Sequence, residues 1–241
     1  MIRRSALLAV LALAGSTVSA RAQSITSPYD FVETSQALRA IGAYVATDRG
    51  AIDIGPGSGL AAGLGYTIRL SGPFTVDVRA LFLPTTRRVY SVVDPAEADS
   101  AAIARDPTEG LELVGEADLS LVIADASLRF DITGPRTWHR LQPFVLIGVG
   151  GVLRVASDNA VEESLPADMP ELRARFRNGF TGNVGAGVEW HASDRLTLVA
   201  EARDVLWKIH VPDGFFVSGR NIDNEEWVQT AHLSLGLAFR F

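Results

Sequence analysis

The chain has 241 residues, with 22 Lys and Arg against 28 Asp and Glu, and no cysteine. The absence of cysteine excludes a disulfide scaffold, thiolate metal sites and a lipid anchor on a modified cysteine. The net charge of -6 disfavours a nucleic-acid partner, which needs clustered Lys and Arg to neutralise phosphates. Because 47% of the residues are apolar, the chain is not composed like a disordered one, and its function depends on where the apolar surface lies.

Residues 1–22 are predicted to form a secretory signal peptide. Arg3 and Arg4 precede an apolar run from Ala6 to Ala14, and small or polar residues follow. That run is too short to cross about 30 Å of hydrocarbon as a helix. We therefore expect export, cleavage of this segment, and a mature domain that comprises residues 23–241.

The mature chain alternates apolar and polar residues in segments of about ten, which is the pattern of β-strands with two chemically different faces. The clearest hairpin joins a strand at 60–70 to one at 74–82 through the turn Ser71-Gly72-Pro73. The other predicted strands lie at 39–47, 124–132, 143–154, 183–190, 196–203 and 232–241. The face assignment of the first strand stays open.

The connections between these strands alternate in length. The short ones are Ser71–Pro73, Thr133–Gln142 and His191–Arg195, and Asp48–Ser58 is intermediate. The long ones are polar and span Pro84–Glu116, Val155–Asn178 and His210–Glu225, with helical turns expected at Pro95–Arg105 and Pro170–Arg177. Short turns at one end and long loops at the other are typical of outer-membrane barrels. The predicted fold is therefore all-β, an eight-stranded antiparallel up-and-down transmembrane β-barrel.

The polar faces of the strands carry balanced charge. Five basic residues face five acidic ones: Arg69, Arg79, Arg129, Arg203 and Arg240 against Asp77, Asp125, Asp131, Glu189 and Glu201. Between them lie Gly, Ala, Ser and Thr, which suit the narrow interior of an eight-stranded barrel, where ions must be paired. We therefore predict that these residues form a charge network in the lumen and that the Leu and Phe faces meet lipid.

Aromatic residues are predicted to form two girdles near the strand ends, where rings lie between lipid and water. At the short-turn end these are Phe74, Phe130, Phe144, Trp190, Phe239 and Phe241. Toward the loops they are Phe82, Tyr90, Trp207 and Trp227.

The last strand, Leu233 to Phe241, alternates and ends in Phe, and it resembles the terminal signal that barrel assembly machinery recognises. Val184–Trp190 followed by Leu196–Arg203 resembles the penultimate hairpin of the porin-like outer-membrane protein β-barrel family, which includes the outer-membrane protein A and X type. The resemblance implies an outer-membrane location, with lipid and the assembly machinery as partners. It assigns Leu237, Phe239 and Phe241 to the assembly signal.

No catalytic, cofactor or metal site is predicted. The four histidines are far apart in the sequence, and the glycine runs lack the spacing of nucleotide-binding loops. His232 and Ser234 lie two apart on one strand face, as in an outer-membrane lipid esterase, but the terminal Phe residues place that face in the lumen. A lipid-modifying hydrolase is therefore the less favoured reading.

The leading hypothesis is a non-enzymatic outer-membrane barrel with an envelope-structural or surface-interaction role through its long acidic loops. Three alternatives stay open: a narrow pore or conduit for a small apolar ligand, a soluble lipocalin-like binding barrel, and the hydrolase. The sequence does not name an extracellular partner. A lipocalin-like barrel predicts Leu and Phe side chains around the central cavity, whereas the membrane barrel predicts them on the outside.

Overall fold

The computed structural model describes residues 27–92, 108, 110–157, 160–163, 176–212 and 225–241. The predicted signal peptide 1–22, the predicted helical turn Pro95–Arg105 and most of the turn Pro170–Arg177 lie outside these ranges. Within them, one barrel accounts for nearly all of the regular structure.

The described residues form ten strands and one short helix. In chain order these are β1 (Tyr29–Phe31), β2 (Gln36–Thr47), β3 (Gly59–Ser71), β4 (Phe74–Val92), β5 (Leu111–Asp131), β6 (Arg136–Trp138), β7 (Leu141–Ser157), α1 (Ala160–Glu163), β8 (Gly179–His191), β9 (Leu196–His210) and β10 (Glu225–Arg240).

Eight of the strands form a closed ring in the order β2-β3-β4-β5-β7-β8-β9-β10. Each long strand pairs antiparallel with the next, and the ring closes through β10 on β2. The predicted eight-stranded antiparallel up-and-down barrel is confirmed.

The alternation in sequence becomes an inside and an outside because residues that pair across strands share a face. Leu235 pairs with Gly42 of β2 and with Ala200 of β9, and its side chain is 71% exposed. On the same strand, Arg203 falls on the opposite face from Ala200 and Ala202, so its side chain points inward and is 2% exposed. The predicted orientation is found for the charged stretches of the strands: the ions lie in the interior, and the apolar residues that alternate with them form an outer belt. This arrangement excludes the lipocalin-like reading.

The β4–β5 hairpin extends furthest beyond its predicted strand ends. The sequence places Pro84–Glu116 in a loop, but β4 continues to Val92 and β5 begins at Leu111. The pairing between them includes a register shift at Val89 and Tyr90. Because Val89 and Ala117 are buried inside the barrel, this hairpin adds apolar contacts above the belt.

The interior has two chemically different parts. Toward the end with the short turns, it is filled by charged and polar side chains. Toward the end with the long loops, it is filled by a cluster of buried apolar residues, among them Val45, Leu81, Leu83, Leu121 and Ile123. The sequence prediction of an interior of small and charged residues is therefore wrong for the upper part, where inward positions of the same strands carry large aliphatic side chains.

The aromatic girdles are only partly as predicted. Phe74, Phe82, Phe130, Trp190, Trp227, Phe239 and Phe241 are exposed on the outer face. Phe144, Tyr90 and Trp207 lie on inward positions and are buried, so their assignment to the girdles is wrong. Trp207 donates a hydrogen bond through Nε1 to Thr230 Oγ1 at 2.9 Å, which satisfies its polar atom inside the barrel.

The short-turn end is closed by the segment that precedes β2. In this segment β1 pairs with β6, a small strand that the sequence does not predict, inside the Thr133–Gln142 connection. Arg69 Nη1 donates to the carbonyl oxygen of Val32 at 3.0 Å, and Arg240 Nε donates to Thr34 Oγ1 at 2.8 Å. Two arginines at the end of the lumen thus hold the N-terminal segment across the opening.

A charge placed in the outer belt is expected to destabilise the barrel in a bilayer. Leu235→Arg, in the middle of the belt, should lower the free energy of unfolding by about 2–4 kcal/mol, because the guanidinium must leave water. Asp194→Arg in the exposed β8–β9 turn is the control and should cost about 0–1 kcal/mol. The measurement is urea-dependent folding into phosphatidylcholine liposomes, and equal losses for the two variants would contradict the belt.

Candidate functional site: the buried charge network

Arg203 is the centre of an ion cluster across the middle of the barrel. Its Nε lies 2.5 Å from Glu201 Oε1, its Nη1 2.6 Å from Asp125 Oδ1, and its Nη2 2.7 Å from Asp77 Oδ1. One guanidinium therefore contacts carboxylates from β4, β5 and β9, and every one of its donor nitrogens has a partner.

Two further arginines complete this central cluster. Arg79 contacts Asp125 Oδ2 at 2.7 Å and Glu201 Oε1 at 3.3 Å, and Arg39 contacts Asp77 Oδ2 at 3.0 Å and Glu201 Oε2 at 3.4 Å. The central cluster thus contains three arginines and three carboxylates: Arg39, Arg79 and Arg203 with Asp77, Asp125 and Glu201. Because the charges balance, the cluster carries no net charge into the interior of the barrel.

A second group, the lower cluster, lies nearer the short turns. Arg129 contacts Asp131 Oδ1 at 2.5 Å and also pairs with Glu189, whose other oxygen is 3.1 Å from Arg240 Nη1. The guanidinium carbon of Arg129 is 3.8 Å from the ring centroid of Phe144, a cation–π contact. Arg69 lies 4.0 Å from Asp131 and ties this cluster to the N-terminal segment.

Glycines on the inward face make room for these long side chains. A Cβ built on Gly185 would lie 2.9 Å from Arg203 Cγ, and one built on Gly236 would lie 2.7 Å from Arg39 Cδ. Because eight strands enclose only enough space for side chains, each large ion needs a small residue beside it. This packing explains why glycine, rather than a larger polar residue, occupies the inward positions 185 and 236.

All ten residues of the predicted charge network point into the lumen, and the structure divides them between the two clusters. Asp77, Arg79, Asp125, Glu201 and Arg203 belong to the central cluster, and Arg69, Arg129, Asp131, Glu189 and Arg240 belong to the lower cluster. The sequence prediction omits Arg39, because both faces of β2 carry apolar residues and the pattern does not distinguish its inward face. Leu237, Phe239 and Phe241 lie exposed on the outer face.

His232 is the second residue that the prediction of the network omits, although the sequence places it in the lumen. Its Nδ1 lies 3.2 Å from Arg79 Nη2, and the ring is 1% exposed. Arginine has only donors, so Nδ1 accepts this bond and the proton of the neutral ring is on Nε2. Within the described residues, Nε2 has no hydrogen-bond partner.

The arrangement around His232 and Ser234 is not that of an activated serine. Ser234 Oγ donates to the backbone oxygen of Glu201 at 3.5 Å, while the His232 ring faces Arg79. A hydrolase needs the imidazole to accept the proton of the serine hydroxyl. Among the described residues, no group of three or more His, Asp or Glu is arranged to hold a metal ion.

Little free space lies directly beside the two clusters. Two spaces of about 10 Å³ adjoin them, one next to the lower cluster at Arg69 and Glu189, and one above the central cluster at His232 and Trp207. A space of this volume holds about one water molecule. The two small spaces therefore have room for isolated waters. A larger space of about 580 Å³ lies at the short-turn end, next to His191.

Comparison with known proteins identifies the fold. The outer membrane protein OprG from Pseudomonas aeruginosa superposes with a TM-score of 0.53 at 13% identity, over 86% of this chain and 96% of that one. Outer membrane protein W of E. coli (TM-score 0.49, 12% identity, 86% and 98% covered) and Neisserial surface protein A (0.46, 13%, 89% and 98%) are also similar. OprG shares the predicted outer-membrane barrel architecture.

Comparison by sequence does not detect the relationship that comparison by structure detects. No protein-family model matches the chain, and no curated protein matches it significantly. In the described residues there is no helix long and apolar enough to cross a membrane.

Removal of the central arginine is expected to destabilise the barrel strongly. Arg203→Met leaves Asp77, Asp125 and Glu201 short of a counter-ion and should lower the free energy of unfolding by about 3–5 kcal/mol. Lys208→Met is the control, because the Lys208–Glu225 pair is exposed and solvent screens its attraction, so its loss should hardly change stability. Urea titration in liposomes measures both, and adding Glu201→Gln to Arg203→Met should recover part of the loss. A loss for Arg203→Met no larger than that of the control would contradict the role of the cluster.

Proposed function

We propose that this chain, which has the fold of the eight-stranded outer-membrane β-barrels, is an integral outer-membrane protein without enzymatic activity. It does not conduct solutes freely, and it serves envelope structure or surface interaction through its long acidic connections. The closed lumen is the observation that carries the proposal, because a barrel filled by paired ions and aliphatic side chains leaves the loops as the part able to contact other molecules.

The loops support this proposal through their sequence and their position. The connections β4–β5, β7–β8 and β9–β10 leave the barrel at the same end, since successive strands are antiparallel. The segment 93–110 contains one basic residue, Arg105, and five acidic ones: Asp94, Glu97, Asp99, Asp106 and Glu109. Excess charge of one sign favours recognition of a complementary, basic surface.

The outer-membrane lipid and the barrel assembly machinery are the partners that belong to this proposal. The exposed apolar belt supports a lipid environment, since water-exposed apolar surface of this extent is unfavourable in a soluble protein. The exposed Leu237, Phe239 and Phe241 on the last strand are accessible to an assembly factor before insertion. Export through cleavage of residues 1–22 completes the proposed route to the membrane.

The closed lumen is tested by conductance. Purified protein in planar lipid bilayers is expected to give no stepwise current, because the ions of the central cluster and the aliphatic side chains above it occupy the narrow interior of an eight-stranded barrel. A general porin reconstituted in the same way serves as the positive control. Reproducible current steps from the folded, heat-modifiable protein would support the narrow-pore alternative instead.

The role of the loops is tested by shortening one of them. Replacing residues 94–109 with Asn-Gly keeps the β4–β5 hairpin, because a two-residue turn suffices to join antiparallel strands. In a deletion strain with increased detergent sensitivity, this variant is expected to insert at wild-type level yet not restore resistance. A matched variant keeps the loop length but changes its five acids to their amides, and it should also fail to restore resistance. Full restoration by the shortened barrel would contradict a loop-based role.

A second function has a specific observation in its favour: binding of a small apolar ligand in the upper lumen. Buried aliphatic residues line the interior above the central cluster, together with Trp207. A barrel that only closes the membrane does not need apolar side chains inside the end that faces water. Small-molecule sites, in contrast, are mostly apolar and contain a few polar groups. Binding is measured as protection, by a small apolar probe such as n-hexane, of the thiol introduced by Leu83→Cys against iodoacetamide; no protection at any probe concentration would contradict this second function.

A further inference from the structure

One wall of the outer belt carries polar side chains among apolar ones. Asp204 on β9 and Gln229 on β10 lie on outward positions, and Gln229 Nε2 donates to Asp204 Oδ2 at 2.7 Å. Leu206 and Trp227, the next outward residues toward the loops on these two strands, are 46% and 63% exposed. The pair therefore lies within the belt, between the loop-side aromatic residues and the middle of the membrane.

This polar pair has hydrogen-bonding capacity that is not used. A glutamine amide has two N–H donors and an acceptor oxygen, and a carboxylate can accept about four hydrogen bonds. Within the described residues, Gln229 uses one of its two N–H groups, and Asp204 Oδ1 has no partner. Because polar groups that face hydrocarbon are costly unless another protein group pairs with them, the pair points to a protein neighbour in the membrane.

An apolar groove of about 860 Å³ lies on the same wall, next to the polar pair. Small outward residues of β8 and β9 line it, namely Ala186, Ala200 and Ala202, and Leu233 and Leu235 of β10 stand beside them. The two leucines are 59% and 71% exposed, and each pairs directly with an alanine of β9. The wall thus presents a leucine ridge beside a trough of small residues, which allow a second protein surface to approach closely.

A second copy of this chain carries the complement of this wall. Because two copies lie in one membrane with the same orientation, the two-fold axis that relates them runs along the membrane normal and brings equal depths together. An axis between β9 and β10 places the leucine ridge of each copy against the alanines of the other. It also places the free N–H of Gln229 against Asp204 Oδ2 of the second copy, twice by symmetry. A lipid acyl chain fits the groove but has no donor for the carboxylate.

We propose that the outer face of β8, β9 and β10 is a self-association surface, through which two copies of the chain pair in the membrane. Gln229 of each copy donates to Asp204 of the other, and the leucines of β10 pack on the alanines of β9. The proposal concerns the wall that faces lipid and does not depend on the role of the loops.

Self-association is measured by cross-linking single thiols, since the chain has no cysteine. Ala231→Cys places a thiol two residues from Gln229 on the same outward face, close to the proposed axis. Ala80→Cys is the matched control, because Ala80 is also exposed but lies on β4, with three strands between it and β9 in either direction around the ring. In liposomes at a low protein-to-lipid ratio, copper phenanthroline should form dimers from Ala231→Cys at least tenfold faster than from Ala80→Cys, because a held neighbour has a high effective concentration.

The polar pair is tested in the Ala231→Cys background. Gln229→Leu removes the donors and the acceptor of the amide, and it should lower the dimer yield about tenfold. Asp204→Leu should have a similar effect, because Gln229 then has no acceptor in either copy. Asp204→Asn retains a side-chain oxygen that accepts from Gln229, and it should restore much of the yield.

The cross-linking results separate the surface from its polar pair. Equal rates for Ala231→Cys and Ala80→Cys would overturn the proposal, because random collision treats both walls alike. A preference for Ala231→Cys that is unchanged by Gln229→Leu would overturn the role of the polar pair and leave association through the groove. Heat-modifiable migration of every variant in liposomes shows that its barrel is folded and inserted, so a failure to associate is distinct from a failure to enter the membrane.

Discussion

The structure depends on one electrostatic constraint: an ion inside a narrow barrel must have a counter-ion within reach, since its walls and the surrounding lipid offer no alternative solvent. The guanidinium of Arg203, which contacts three carboxylates from different strands, meets that constraint across the middle of the lumen. Because Asp77 and Asp125 lie on β4 and β5 while Arg203 lies on β9, these two ion pairs join walls of the barrel that share no backbone hydrogen bonds. The paired charges thereby link opposite sides of the barrel.

The outward direction of the apolar side chains follows from the same constraint. Strand residues alternate, so once the arginines and carboxylates are inside, the leucines and phenylalanines between them are outside. This belt suits the barrel to a membrane, and the filled interior makes it a poor pore. The function we propose then lies at the loop end, where the upper lumen changes from ions to aliphatic residues and the Asp48–Ser58 connection covers the opening.

Period-two alternation predicts the eight strands of the ring and the common face of ten ions, because it depends only on local sequence, whereas the up-and-down order is predicted from the lengths of the connections. Arg39 escapes this pattern since β2 carries apolar side chains on both faces, and only its pairing with Asp77 reveals its direction. Trp207 is four residues from Arg203 on β9 and therefore on the same, inward face. For this side chain, the alternation along the strand is a better guide to direction than the position near a strand end. Contacts between distant segments, such as β1 with β6 or Ile52 with the lumen, leave no local pattern.

Depth-resolved quenching of tryptophan fluorescence tests the inside-outside arrangement most directly. Variants that retain Trp190, Trp207 or Trp227 as the only tryptophan, with the others changed to Phe, are reconstituted in bilayers of brominated lipid. The structure predicts strong quenching of the exposed Trp190 and Trp227, and little quenching of Trp207, whose indole is buried in the lumen. Strong quenching of Trp207 together with protection of Trp190 and Trp227 would contradict the arrangement of apolar residues outside and ions inside.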